Sequence, residues 1–431
     1  MTGPRRLFPL SAKTIIIAGH NDAVYRTMSY LINLSIFRRN RNFTFLYIGQ
    51  FISFLGTMIT SVALPYQIYT ETQSTLMVGL LSLAQLLPLL VTALIGGVFA
   101  DRYHRRKLLL VSELILTVGC LLLALNSLAP QPHIWVMFVV SALMSAFTGL
   151  HRPALDSIVQ QIVDKKDLPV VSSLGTLKFN AAMIIGPAIG GLIIARYGIV
   201  ITYLVDVATF FISLCALLLM TRIPKPNEWK DESTLSALRS GIRYALSRQE
   251  LVGTYAIDFM AMVFGMPMAL FPAIAESFGG AKVLGMLYAA PAVGALVISF
   301  FSGWTAHIKR YGIAITVSAT LWGVSIIFFG LSSNLWIALF FLALAGAFDG
   351  ISGIFRMTMW NETIPNELRG RMAGIEMVGY LSGPKLGDTE AGLVAAMFGI
   401  TASVVSGGVL CVASVVVTCL FLPKFWRYRS E

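Results

Sequence analysis

Glu113, Lys178, Asp206, Asp258, Asp349, Lys385, Asp388 and Glu390 all fall inside long apolar stretches of the 431-residue chain. A charge at the middle of a hydrocarbon layer costs at least about 2.5–3.5 kcal/mol, so such residues must face one another, a cavity or a bundle interior. The chemistry they suit is ion handling. A carboxylate sealed in one conformer and wetted in another can hold a proton in the first and release it in the second. Asp258, Asp388, Glu390, Asp349 and Glu113 are the candidates for proton coupling. Lys385 and Asp388, three apart on a helix, are expected to pair. Glu390 lies about 200° round the helix from Asp388 and is then free to titrate. Asp206 is expected to hold a structural hydrogen bond. Glu113 follows Lys107 closely enough to interact with basic residues at the membrane interface.

Other side chains could line a path for cargo. Gln50, Ser53, Thr57 and Gln67 form a polar stripe that either faces cavity water or bonds neighbouring helices. Met260, Met262, Phe264, Met266 and Met268 make a soft, polarisable run that either touches bulky cargo or fills the core. Gln50, Thr57, Met262, Met266, Lys178 and Lys385 are the substrate-cavity candidates. No Walker A sequence, GxSxG elbow or HExxH helix occurs, and no nucleophile, base and orienting group stand together, so the chain does not read as an enzyme. Cys120, Cys215, Cys411 and Cys419 lie in apolar runs without a CxxC pair or flanking histidines. They read as packing residues, and no metal or cofactor is expected.

The elements that must position these groups follow from composition. The chain is 56% hydrophobic and 12% charged, against about 25% charged in a soluble globular chain, and its mean hydropathy is +0.77. Twelve apolar runs begin near Asn42, Leu76, Leu108, Ile134, Ser172, Ile199, Leu251, Val283, Ile313, Leu335, Met372 and Thr401. Each is long enough to cross as a helix of about 20 residues. Strands would need alternating polarity, and a bilayer offers no water to an open backbone. The expected fold is therefore an all-α membrane protein.

Most of the 32 Lys and Arg fall in 1–41, 101–107, 164–167, 221–250, 307–312, 366–371 and after Leu422, whereas the opposite loops hold only Arg196 and Lys282. By the positive-inside rule both termini are cytoplasmic, and the net charge of +11 orients the chain rather than binding nucleic acid. The polar stretch 222–250 reads as a cytoplasmic linker with an amphipathic helix, Leu235, Leu238, Ile242 and Leu246 sharing one face. It separates six spans in 42–221 from six in 251–422, with a cytoplasmic segment 1–41 before them and a tail 423–431 after. The N-terminal segment contains no signal-peptide core. Met28 opens a natural lead-in to the first span, so residues 1–27 are expected to be disordered or to stem from an upstream start codon.

The two sets of six retain traces of each other. Gly149-Leu-His-Arg152 matches Gly353-Ile-Phe-Arg356, and Gly186-Pro-Ala-Ile-Gly-Gly-Leu192 matches Gly387-Asp-Thr-Glu-Ala-Gly-Leu393. Gly97-Val-Phe-Ala-Asp101 has an echo in Gly303-Trp-Thr-Ala-His307 at a nearly equal offset. Such repeats build a midplane site between two rocking halves in many secondary transporters.

The loop Asp101-Arg-Tyr-His-Arg-Arg-Lys107, preceded by Gly97, resembles the cytoplasmic signature of the major facilitator superfamily. In that reading Gly97, Asp101, Arg102, Arg105, Arg106 and Lys107 form a conformational latch. Gly186, Pro187, Gly190 and Gly191 resemble the fifth-helix motif of the superfamily's antiporters, where glycines four apart give a flat packing face. Pro65-Tyr-Gln-Ile-Tyr69, Asp206, Ile364-Pro-Asn-Glu-Leu-Arg-Gly-Arg371 and Gly387-Asp388 resemble the enterobactin-exporter-like and drug:proton antiporter branch. The second copy of the loop signature has His307 in place of the first copy's Asp101.

The resemblance implies two pseudo-symmetric six-helix bundles around a cavity lined by spans one, four, seven and ten, which favours Asp258 and Asp349. Arg152, Arg356, Arg369 and Arg371 are expected to form a second cytoplasmic gate. The function implied is proton-coupled export of a small amphipathic molecule, a siderophore or drug-like compound, across a bacterial inner membrane by a monomer. Import of a ferri-siderophore and a non-transporting scaffold or sensor remain as alternatives.

Overall fold

The computed structural model of the chain describes residues 34–221, 234–365 and 368–430, and for 97–102, 234–240, 370, 371 and 373 the backbone only. The expectations for residues 1–27, for the first part of the linker and for the side chains of Gly97, Asp101, Arg102, Leu235, Leu238 and Arg371 lie outside the described residues. Every regular element among those described is a helix, which closes the backbone's hydrogen bonds within one segment. In the first half these are α1 (Ser35–Arg39), α2 (Arg41–Thr72), α3 (Thr75–Arg102), α4 (Arg105–Ser127), α5 (Ile134–Ile162) and α6 (Leu168–Leu219). In the second they are α7 (Thr234–Ser247), α8 (Gln249–Phe264), α9 (Phe271–Phe278), α10 (Ala281–Phe300), α11 (Tyr311–Leu331), α12 (Leu335–Thr363), α13 (Arg369–Phe398), α14 (Ile400–Phe421) and α15 (Pro423–Trp426).

Ten stretches are long and apolar enough to cross a membrane. One of them, Lys165–Leu219, runs for 55 residues, far more than a ~30 Å hydrocarbon layer requires. It bends at Gly198, whose φ of +82° is one that a residue without a Cβ enters freely. α13, 30 residues long, carries Glu376, Lys385, Asp388 and Glu390 and is not among the ten. Helix starts are marked by asparagine: Asn40 Oδ1 accepts from Phe43 N at 3.0 Å, and Asn334 Oδ1 from Trp336 N at 2.9 Å.

Helix partners repeat between the halves. α3 packs on α5, α2 on α6, and α4 on α5 and α6; later α10 packs on α12, α8 on α13, and α11 on α12 and α14. Glycine permits these approaches. A Cβ on Gly149 would stand 2.8 Å from Leu89 O, and one on Gly346 would overlap the Pro291 carbonyl.

The seventh apolar run is interrupted, where the sequence suggests one continuous helix. α8 stops at Phe264, Gly265 and Pro267 intervene, and a short 3-10 turn (Met268–Leu270) leads into α9. Pro267 has no N–H to continue the helix. Three freed backbone groups find side-chain partners: Gly265 O accepts from Trp322 Nε1 at 3.1 Å, Met268 O from Tyr288 OH at 3.3 Å, and Ala269 N donates to Asp388 Oδ1 at 2.8 Å. A broken helix at membrane depth needs such partners, because each unsatisfied group there costs several kcal/mol.

Candidate functional site

Asp349 sits midway along α12 with its side chain 42% exposed. Two turns on, Arg356 Nη2 donates to Asp349 Oδ1 at 3.5 Å, while Nη1 contacts the carboxylate of Asp258 on α8. One buried guanidinium is thus shared by carboxylates of two helices, which offsets the penalty of taking its charge out of water. Glu376 of α13 is within electrostatic reach of the same guanidinium and of Tyr255. Tyr255 stacks on Trp360 with ring centroids 5.1 Å apart, and Trp360 Nε1 donates to Thr254 Oγ1 at 2.8 Å, fixing α8 against α12.

The first half faces this cluster with charges of its own. Arg152 and Asp156 are exposed on α5, Lys178 is half-buried on α6, and the three lie within reach of one another. Tyr380 of α13, also exposed, is within reach of both Arg152 and Asp349. Charges from α5, α6, α8, α12 and α13 therefore border one solvent-accessible space between the halves.

That space is closed at one end. Five hydrogen bonds between the halves lie there: Ser82 Oγ donates to Asp388 Oδ2 at 2.7 Å, Lys385 Nζ to Gln85 Oε1 at 2.5 Å, Thr75 Oγ1 to Gly392 O at 3.2 Å, Thr389 Oγ1 to Gly79 O at 3.2 Å, and Tyr66 OH to Glu276 Oε1 at 2.5 Å. Beside this seam of α3 and α13, α6 meets α10 through Pro187, Gly191 and Gly285. At the opposite end Arg106 bonds Leu217 O and Tyr244 OH bonds Thr363 O, both at 2.9 Å and each within one half.

A separate network lies inside the first half. Glu113 of α4 is fully buried. Its Oε1 accepts from Gln50 Nε2 at 2.7 Å and Ser213 Oγ at 3.0 Å and lies 3.2 Å from His151 Nε2, while Ser53 Oγ approaches Oε2 at 3.3 Å. Asp206, equally buried, accepts from Thr60 at 2.5 Å, Thr209 at 2.9 Å and the Cys120 thiol at 3.2 Å. Cys120 thus adds a donor to its packing role.

The profile of the transmembrane secretion effector family, within the major facilitator superfamily, matches residues 33–428. The chain belongs to this family. It is 29% identical over 403 residues to the enterobactin exporter EntS of Shigella boydii serotype 18 and to that of Escherichia coli O1:K1, each alignment covering 93% of this chain and 97% of the relative. Among solved structures, a POT family transporter in complex with 5-aminolevulinic acid superposes with a TM-score of 0.71 at 13% identity, over 90% of this chain and 97% of that one. A bacterial homologue of the human lysosomal transporter Spinster, inward-facing and unoccupied, gives 0.67 at 15% identity, over 90% and 96%. These likenesses establish a multi-pass membrane transporter of the superfamily's fold and no enzyme.

For this member of the family, several site expectations need correction. Lys385 and Asp388 stay within electrostatic reach of each other but make no direct ion pair among the described residues; partners on α3 and the backbone break at Ala269 take their hydrogen bonds. Lys385 therefore belongs to the seam rather than to a cargo cavity. Glu390 makes no hydrogen bond or ion pair among the described residues and shares its helix face with the exposed Leu393 and Met397. Glu113 turns away from the interfacial arginines because α2, α5 and α6 surround it with donors.

Gln50 is spent on Glu113, and Thr57 bonds its own helix at Ser53 O. Met262 is buried against Gly383, and Met266 lies partly buried in the break. Arg105 reaches Ser157 O at 3.4 Å and Arg106 also reaches Leu218 O at 2.8 Å, so both tie helix ends within the first half; Lys107 is exposed. Among the described residues Arg152, Arg356 and Arg369 share no partner: Arg356 is drawn inward by Asp258 and Asp349, and Arg369 donates to Asn361 O at 3.1 Å. Gly186 and Gly190 pack on Met58 and Ile59 of α2, while Gly191 packs on α10.

Asp156, Glu376, Tyr380 and His151 were not legible as site residues from apolar patterning. The available signal for each was a polar or ionisable group at membrane depth.

Proposed function

We propose that the chain is a proton-coupled exporter that moves a siderophore of the enterobactin type from the cytoplasm across the bacterial inner membrane by alternating access. The observation that carries this reading is the charged space between the halves, sealed at one end by hydrogen bonds and glycine contacts. The full-length similarity to enterobactin exporters supports the cargo class.

In this reading twelve spans form two six-helix bundles, with α6 supplying two crossings around Gly198, α13 one, and α8 with α9 a single broken one. The divisions fall at 1–41, 42–221, 222–250, 251–422 and 423–431. Both termini face the cytoplasm, because Lys and Arg concentrate on that side, so the sealed end is periplasmic. The protein works as a monomer. Asp258 and Asp349 compete for Arg356; a proton on either carboxylate releases part of its hold, and deprotonation restores it. Arg152, Lys178 and Tyr380 border the cargo path.

The test is enterobactin uptake into inverted membrane vesicles under an imposed pH gradient. Wild type should accumulate it, and Asp258→Asn and Asp349→Asn should lose proton-driven accumulation while remaining in the membrane. No uptake by wild type, or undiminished uptake by both variants, would refute the reading.

A further inference from the structure

The Glu113 network holds a feature that the chamber cluster lacks: a histidine placed between a sealed carboxylate and solvent. Glu113 has no exposed surface, whereas the His151 side chain is 16% exposed and approaches Glu113 Oε1 with Nε2 at 3.2 Å. Nδ1, the second ring nitrogen, makes no hydrogen bond among the described residues. The other contacts to the carboxylate come from Gln50, Ser53 and Ser213, which are neutral and do not exchange protons near pH 7.

We propose that His151 is a proton relay that loads Glu113 from the space between the halves. Nδ1 takes a proton from a hydronium ion there, whose O–H bond breaks to leave water as an N–H bond forms; the Nε2–H bond breaks and an O–H bond forms on Glu113 Oε1. The pair gains one positive charge, carried as a neutral imidazole beside a neutral carboxylic acid, and no other reactant is needed.

Protonation has a mechanical consequence. An ionised carboxylate accepts from Gln50 and Ser53 of α2, Ser213 of α6 and His151 of α5 at once. A protonated one gives up part of that capacity, so α2 loosens from α4 and α6. Far along α2, Tyr66 makes the bond to Glu276 across the closed end, so the loaded proton weakens the helix that holds that end shut. The other charged groups facing the pair are Asp206, which interacts with Glu113 from α6, and Asp156, which interacts with His151 from α5 and is itself balanced by Arg152 and Lys178.

The inference rests on the reading of the chain as a proton-coupled transporter, but its test does not need the cargo. The reconstituted protein is followed by infrared spectroscopy after a downward pH jump, and the carboxyl C=O band of Glu113 is assigned by its loss in Glu113→Gln. His151→Gln keeps an amide N–H for the carboxylate and so preserves the packing, but it cannot relay. Its Glu113 band should rise about tenfold more slowly or worse, and in wild type the imidazolium signal should precede the carboxyl band.

An unchanged rate in His151→Gln, a carboxyl band that precedes the imidazolium in wild type, or no Glu113-dependent band would each overturn the proposal. The wild-type sequence of signals decides the matter should His151→Gln fail to fold. With enterobactin, His151→Gln should retain counterflow within about twofold while losing proton-driven accumulation about tenfold or more. Failure of wild type to move enterobactin would sink the siderophore reading and leave the infrared result standing.

Discussion

Two of the seams that join the halves are made of different material. α3 meets α13 through side-chain chemistry: Ser82 and Gln85 hold Asp388 and Lys385, and Gly79 and Gly392 let the backbones approach. α6 meets α10 with almost bare backbone, where a Cβ on Gly191 would stand 2.6 Å from Ala281 O and one on Gly285 would stand 2.6 Å from Pro187 O. The polar seam can be opened by a change in charge or in a single hydrogen bond. The glycine seam offers nothing to switch and depends on fit alone, so under alternating access it is the expected pivot on which the polar seam would open and shut.

The largest effect should come from spoiling the pivot. Gly285→Leu sets a side chain into the Pro187 carbonyl, overpacking that costs about 1–3 kcal/mol. Transport should fall about tenfold or more, and spin labels on α6 and α10 at the closed end should move apart. A smaller effect is expected at the polar seam. Asp388→Ala leaves Ser82 Oγ and Ala269 N without an acceptor, at about 1–3 kcal/mol for a buried orphan, and labelling of a cysteine placed at Thr389 should speed up as the closed end opens. Asp388→Asn, which keeps an acceptor for Ala269 N, should recover part of that loss. Seams equally sensitive to Gly285→Leu and Asp388→Ala would remove the distinction between pivot and switch.

Much of this architecture was legible in the sequence because the bilayer imposes it. Apolar runs mark the crossing helices and membrane-depth charges mark the places where something other than lipid must lie alongside. What remained hidden were partners contributed by other helices. Spacing along α13 pairs Lys385 with Asp388, but it carries no information about Ser82 and Gln85 on α3 or the N–H freed at Ala269. Spacing along α4 relates Glu113 to the arginines before it, whereas α2, α5 and α6 supply the donors it uses. Gly265 and Pro267 were the available sign that the seventh run is broken. His151 lay inside a repeat noted for its glycine and arginine, and its role depends on distance from a residue 38 positions away.

The central claim is that the end held shut by Tyr66 and Glu276 must open for transport. In a background without the four native cysteines, Tyr66→Cys and Glu276→Cys can be bridged with a short bifunctional methanethiosulfonate linker that a reductant removes. Enterobactin transport should stop when the bridge is complete and return on reduction, with each single-cysteine variant unaffected by the linker. Continued transport by fully bridged protein would contradict the account.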